Sequence, residues 1–221
     1  MRFRTTGTRG GRGTLAASLL LVVLILAGCS APDTAAQPTP QPTQSTSPRS
    51  KTPPPPADES GSLPRSRPVW IDVPGIRAHS SLVPLGLNAD RTVEVPPVDQ
   101  PMQAGWYKHS PAPGQTGPSV VLGHVNGGGH DGIFARLHEL KPGDEIRIGR
   151  EDKQVTRFVV ERIEQFPKTE FPAGQVYGDT KEPELRLITC GGSFDKAANS
   201  YRDNVIVFAV FTGVVDATEP G

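Results

Sequence analysis

The feature that most constrains the fold of this chain is a series of short apolar or alternating runs in its C-terminal two thirds. Turn residues such as Pro74-Gly75 and Pro142-Gly143-Asp144 separate the runs, and this pattern predicts β-strands. The predicted strands are residues 69–73, 83–87, 92–95, 119–123, 145–148, 154–163, 184–189 and 205–214. Only residues 132–140 suggest a short helix. We therefore predict a mainly β domain that begins at Pro68, either a barrel or a sandwich.

The N-terminus has the pattern of an export signal. Four arginines precede an apolar run over residues 15–27, which is shorter than the roughly 20 residues of a membrane-spanning helix. The run ends in Leu26-Ala27-Gly28-Cys29, which looks like a bacterial lipobox, the site where a cysteine receives diacylglycerol. We predict a signal peptide over residues 1–28 and lipidation of Cys29. The alternative is an uncleaved anchor helix, and either one places the rest of the chain outside the cytoplasm.

Residues 29–67 are predicted to be a disordered tether. They contain almost no large apolar residue, so they cannot bury enough surface to offset the chain entropy of folding. Their prolines, including the run at 53–56, favour extended polyproline conformations. The predicted role is to lift a folded domain, residues 68–221, off the membrane.

Charge and cysteine content narrow the function. Lys plus Arg and Asp plus Glu each total 23, and no basic run occurs in the C-terminal two thirds. The chain therefore has no positive electrostatic potential that would favour binding of nucleic acid. The two cysteines are Cys29 and Cys190. A disulfide between them is disfavoured because Cys29 belongs to the processing motif. A lone cysteine in an exported domain suggests a catalytic role.

Three polar residues lie at strand ends. Cys190 follows the predicted strand 184–189 and precedes two glycines, which leave room for access to a nucleophile. His124 likewise ends an apolar run and opens a glycine-rich loop, and Arg202 stands just before the last strand. Taken singly, each also fits a plain structural or surface role. Their joint placement in one exported domain favours a catalytic site.

The segments that contain these residues resemble sortases. They are WIDVPGIRAHSSLVPLGLNADRTVEVPP, AGWYKHSPAPGQTGPSVVLGHV, VVLGHVNGGGHDGIFARLHELKPGDEI and LRLITCGGSFDKAANSYRDNVIVFA. The pattern looks closest to class F sortases of actinobacteria, in the order His, Cys, Arg. The resemblance implies a closed eight-stranded β-barrel with short helices. The lipobox departs from the family pattern, since many members use an uncleaved membrane helix.

The resemblance also implies a reaction. Cys190 would attack an LPXTG-like sorting signal between Thr and Gly and form a thioester, with His124 as acid and base and Arg202 stabilising the oxyanion. Thr189 would assist. The acyl group of a surface protein would pass to a peptidoglycan precursor amine, on the outer face of a membrane that the N-terminus binds. No cofactor is implied, and a zinc site of His124, His130 and Cys190 lacks ligand-pair spacing.

Two alternatives remain at this stage. A papain-like cell-wall peptidase is disfavoured because its cysteine precedes its histidine along the chain. A non-enzymatic surface lipoprotein, a binding module on a sortase-like barrel, is disfavoured because His124, Cys190 and Arg202 are all present.

Overall fold

The computed structural model describes residues 61–215, and eight strands in this range close into a barrel. In all, residues 61–215 form ten strands, of which β5 and β6 lie outside the barrel: β1 (Pro68–Val73), β2 (Ala78–Leu85), β3 (Ala104–Tyr107), β4 (Gly117–Gly123), β5 (Asn126–Gly127), β6 (His130–Asp131), β7 (Glu145–Arg150), β8 (Val155–Pro167), β9 (Pro183–Asp195) and β10 (Ser200–Val215). The barrel order is β1-β2-β3-β4-β9-β10-β8-β7, and β5 pairs with β6 outside it. The β2–β3 and β4–β9 pairs are parallel.

The helices in this range are short. They comprise α1 (Ala173–Tyr177) and the 3-10 turns Pro74–Ile76, Leu137–Glu139 and Lys168–Glu170. The predicted closed barrel is confirmed, but the helix predicted over residues 132–140 is reduced to one 3-10 turn. None of the helices within residues 61–215 is long and apolar enough to cross a membrane.

One predicted strand is wrong. Residues 92–95 form no strand and contribute only a single bridge, from Val93 to Leu87. Pro96 and Pro97 follow at once, and proline has no N–H to continue a ladder. The eighth barrel strand is instead β3, which the sequence analysis did not predict. It has only four residues and contains a glycine, so it shows no apolar alternation.

The strands that position the site are covered on both faces. Along β9, Leu185 and Leu187 face the barrel interior, whereas Ile188 belongs to a second apolar cluster on the outside. That outer cluster also includes residues of β4, β10 and α1, namely Val120, Ile206, Phe208 and Val176. Strands buried on both faces are apolar throughout rather than alternating, which explains the continuous apolar runs of β4 and β10.

The folded domain extends upstream of the predicted boundary at Pro68. Leu63 is buried, and its N–H donates to the carbonyl of Gly114 over 2.7 Å. Arg65 donates to the carbonyl of Lys108 over 2.8 Å and lies over the Trp106 ring. Residues 61–67 were predicted to be tether because they are polar, yet their backbone and arginine contacts hold them on the barrel. The rest of the tether, the signal peptide and Cys29 lie outside the described residues.

Candidate active site

The parallel pairing of β4 with β9 brings His124 and Cys190 together. Leu122 pairs with Ile188, and the two site residues each follow two positions later. Because side chains alternate along strands, both lie on the outer face of the barrel. They line one cavity of about 90 Å³, together with Val95, Pro96, Leu122, Gly123, Ile188, Thr189 and Asn204.

The backbone at His124 is fixed by a close turn. Gly123 packs so tightly on Phe134 that a Cβ at that glycine would lie 2.5 Å from the ring. The Phe134 N–H also donates to the carbonyl of His124 over 3.0 Å. The Gly-His pair of the sequence is therefore required by packing as well as by any chemistry of the ring.

The His124 ring is held by a carbonyl from the segment between β2 and β3. Its Nε2 lies 2.7 Å from the carbonyl oxygen of Pro96, which can only accept. Nε2 therefore carries a proton, and Nδ1 is the acceptor in the neutral ring. Nothing in the sequence pattern pointed to Pro96 as the orienting group.

Cys190 is half-buried and accessible from more than one side. Its thiol forms no disulfide within residues 61–215, and it is paired across the sheet with Asn204 of β10. Besides the cavity that it shares with His124, it lines two others. One, of about 280 Å³, includes His138, Gln165 and Thr189, and the other, of about 420 Å³, includes Asn126, Phe194 and Tyr201. An acyl group on the sulfur would thus adjoin open space.

Thr189 lies on the other face of β9. It is buried with Leu187 and Leu185 on the interior side, and its hydroxyl has no hydrogen-bond partner among residues 61–215. The hydroxyl is therefore separated from the Cys190 thiol by the strand itself. Any assistance that Thr189 gives on the thiol side would come through its backbone.

Arg202 is apart from the His124–Cys190 cavity. It sits at a register shift of β10 between Tyr201 and Asp203, its side chain is 67% exposed, and it lines none of the three cavities at Cys190. Its Nη2 donates to Asp195 over 3.3 Å. The structure thus brings His124 and Cys190 together and holds Arg202 on the neighbouring strand.

Asp195 is a well-defined partner for Arg202. The backbone N–H groups of Ala198 and Ala197 donate to this carboxylate and, with Arg202, hold its pKa below the ordinary value. The carboxylate is therefore ionised at neutral pH. Because the ion pair is solvent-exposed, it contributes little to the stability of the fold.

Sequence reasoning missed other residues at the site. Asn204 lines the His124–Cys190 cavity, and Asn126 donates to the Tyr201 hydroxyl over 2.6 Å. A polar residue at the start of an apolar strand was the available signal for Asn204. Within residues 61–215, no group of three His, Cys, Asp or Glu side chains lies in an arrangement that could hold a metal ion.

Solved structures with a similar fold are known. The fold is similar to that of sortase A from Corynebacterium diphtheriae, with 21% identity and a TM-score of 0.51 over 71% of this chain and 65% of that one. A lid mutant of that protein gives 24% identity and 0.51 over 71% and 76%. Sortase A from Listeria monocytogenes gives 17% and 0.51 over 70% and 92%.

No curated protein matches the chain. A family model described as the sortase domain matches residues 71–212, a span that includes His124, Cys190 and Arg202. Since that span is more than half of the chain, the protein belongs to the sortase family of transpeptidases.

Proposed function

We propose that this sortase cleaves an LPXTG-like sorting signal between Thr and Gly and transfers the acyl group to a cell-wall amine. The observation that carries the proposal is the cavity shared by His124 and Cys190 on the outer face of the barrel. Its walls include Val95, Leu122 and Ile188, which suit the apolar side chains of such a signal. The resemblance of the surrounding segments to class F sortases of actinobacteria supports the same substrate class.

The proposed reaction runs through a thioester. The Cys190 thiolate adds to the Thr carbonyl, the C–N bond breaks, and the departing amine takes a proton from the His124 imidazolium. An incoming amine then attacks the thioester, loses a proton to His124, and releases the thiolate. Since Nε2 is engaged with Pro96, Nδ1 is the nitrogen left to exchange these protons.

Arg202 is proposed to stabilise the tetrahedral oxyanion. Its ion pair with Asp195 is exposed and weak, so a developing negative charge in a less hydrated groove would compete for the guanidinium. Asp195 would then serve as the resting partner that keeps Arg202 near β9. Thr189 is proposed to assist through its backbone.

The decisive experiment is product analysis with LPXTG-like peptides. We expect mass spectrometry to show the amide when a glycine or diaminopimelate-type amine is added, because an amine attacks a thioester faster than water does. Turnover should rise with amine concentration when resolution of the acyl-enzyme is slow.

The products also separate the alternative functions. Free acid as the sole product at every amine concentration would make the protein a peptidase. No turnover, combined with saturable peptide binding, would support a binding module on a sortase-like barrel. A matched control peptide with the Thr of the motif replaced by Ala should react much more slowly.

We also propose that the domain acts on the outer face of the cell membrane, where surface proteins with sorting signals are its partners. The support is the export signal and the lipobox ending at Cys29. We expect Cys29→Ala to prevent lipidation, which metabolic labelling with a lipid precursor would detect. If the Cys29→Ala protein stays in the membrane fraction with its apolar run intact, the anchor is an uncleaved helix instead.

A further inference from the structure

One polar side chain of the His124–Cys190 cavity has no role in the proposed reaction. It is the amide of Asn204, which lines the cavity and is partly exposed. Among residues 61–215 this amide has no hydrogen-bond partner. An asparagine amide carries two N–H donors and one acceptor oxygen, so Asn204 can bind a polar group that enters the cavity.

The strand pairing places Asn204 directly opposite Cys190. The two residues are register partners on the antiparallel strands β10 and β9. Residues that face each other in this way have Cβ atoms about 4.5–5.5 Å apart and side chains on the same face. Ile206 and Phe208, the next residues of β10 on that face, belong to the apolar cluster on the outside of the barrel. The Asn204 amide therefore lies on the thiol side of the sheet.

This separation suits a hydrogen bond to an oxygen of an adduct on the Cys190 sulfur. A donor stabilises an oxyanion when it lies about 2.7–3.1 Å from that oxygen. With Cβ atoms on the order of 5 Å apart, the short amide side chain of Asn204 and the oxygen of an adduct on the sulfur can approach to that distance. The side chain needs no movement of the strand to do so, because both residues are fixed by the β9–β10 pairing.

The two polar residues before Asn204 have other surroundings. Arg202 is 67% exposed and lines none of the three cavities at Cys190. The Asp203 carboxylate accepts a hydrogen bond from Gln165 over 2.6 Å. Of these three consecutive residues, Asn204 is the one whose side chain lines the cavity that the thiol shares with the histidine.

The other walls of this cavity offer few competing polar groups. They are mostly apolar or backbone surfaces, namely Val95, Pro96, Leu122, Gly123 and Ile188. The His124 Nε2 is engaged with Pro96, and the Thr189 hydroxyl lies on the other face of β9. A hydrogen bond in apolar surroundings is stronger than one in water, so a single amide donor has a large effect on a charge that develops there.

We propose that Asn204 is a further catalytic residue, whose side-chain N–H donates to the oxygen of the scissile carbonyl as it becomes the oxyanion. This inference rests on the proposed thioester reaction. In each half-reaction the carbonyl carbon becomes tetrahedral and its oxygen gains negative charge, which the Asn204 amide stabilises until the carbonyl re-forms. No bond to Asn204 is made or broken, and the donor acts in addition to Arg202.

Steady-state kinetics of the full chain in detergent, with an LPXTG-like peptide and an amine, test this role. Asn204→Ala removes the donors, and Asn204→Asp keeps the size of the side chain but replaces the donors with a negative charge. We expect kcat to fall on the order of 10²-fold in Asn204→Ala and further in Asn204→Asp, with KM within about twofold of wild type. The matched control is Thr212→Ala, which removes an exposed polar side chain eight residues further along β10 and should keep the wild-type kcat.

A second measurement needs no sorting signal. The Cys190 thiolate adds to the carbonyl of p-nitrophenyl acetate through an oxyanion, an S–C bond forms, and nitrophenolate leaves with the electrons of the broken C–O bond. Iodoacetamide alkylates the same thiolate by displacing iodide, and no oxyanion forms. We expect Asn204→Ala to slow acylation about tenfold or more, while alkylation keeps its wild-type rate. Both rates are measured as the mass increase of the peptide that contains Cys190.

Three results would overturn the assignment of Asn204. Equal acylation rates in wild type and Asn204→Ala would show that no donor was lost. Acylation and alkylation slowed by the same factor would show that Asn204 acts on the thiolate or on access to it. A rise in the KM for peptide with kcat unchanged would make Asn204 a peptide-binding residue. Because the ester contains no sorting signal, its acylation rate decides the assignment of Asn204 even if the proposed peptide substrate is wrong.

Discussion

Replacing Cys190 with alanine is expected to reduce transpeptidation by on the order of 10⁴-fold or more, to the background rate, while the barrel stays folded. Cys190 is the sole cysteine of residues 61–215, so no second thiol in that range can form the proposed thioester. The barrel should tolerate the change because Cys190 is only half-buried and its pairing with Asn204 uses backbone groups. The measurements are the rate of amide formation from an LPXTG-like peptide and the melting temperature of each protein.

Three further alanine variants test whether the loss of activity is specific to the proposed catalytic residues. His124→Ala and Arg202→Ala should each cost on the order of 10²-fold or more, the scale for loss of an acid–base group or an oxyanion donor. His138 is the matched control, because it lines a different cavity at Cys190 and not the cavity that His124 lines. If His138→Ala lowers the rate as much as His124→Ala does, the assignment of His124 fails. Residual turnover of Cys190→Ala within tenfold of wild type would refute the nucleophile.

The sequence predicted the site residues that lie at strand ends, but it did not predict the contacts that loop residues make with them. Apolar runs ending in His124 and in Cys190 identified two strand ends, and the parallel pairing of β4 with β9 places those ends side by side. The pairing itself could not be read from the runs, since any strand can neighbour any other in a barrel. The contact of His124 with Pro96 joins residues 28 positions apart and leaves no periodic signal.

Arg202 shows a different limit. Simple alternation along β10 would assign it to the same face as Asn204 and hence to the Cys190 side. The register shift between Tyr201 and Asp203 interrupts that alternation, and the side chain pairs with Asp195 instead. Bulges depend on how two strands twist against each other, so a single strand's sequence does not reveal them. Residues 61–67 were misassigned for a related reason, because their contacts are backbone and arginine hydrogen bonds rather than apolar burial.

One of those contacts centres on Arg150, whose side chain is fully buried at the end of β7. Its guanidinium donates to the carbonyls of Pro64 and Pro113, each over 2.6 Å, and to Asp152 over 2.7 Å. It therefore ties the N-terminal segment and the turn before β4 to the barrel. Burial opposes ionisation of Asp152, but hydrogen bonds from Arg150 and the Gln154 N–H outweigh it and lower the pKa of this carboxyl.

We expect Arg150→Met to lower the free energy of unfolding by about 3 kcal/mol, because it leaves the buried carbonyl of Pro113, the carbonyl of Pro64 and the partly buried Asp152 carboxylate without their guanidinium donor. For a domain of this size that corresponds to a fall of roughly 6–12 °C in melting temperature. The matched control is Arg67→Met, since the side chains of the Arg67–Glu151 pair are about half exposed and the pair should contribute little to the free energy of unfolding.

The pH dependence of the melting temperature tests whether the loss of stability in Arg150→Met involves the ionised Asp152 carboxylate. A carboxyl whose pKa is lower in the folded state contributes stability above its unfolded pKa of about 3.9 and loses it as the pH falls through the folded value. The difference in melting temperature between wild type and Arg150→Met should therefore shrink as the pH falls below about 4 towards the lowered folded pKa of Asp152, where the carboxyl becomes protonated in the wild type as well. An equal loss in Arg150→Met and Arg67→Met at pH 7 would contradict the role assigned to Arg150, and a difference that stays constant from pH 7 to pH 3 would show that Asp152 takes no part in it.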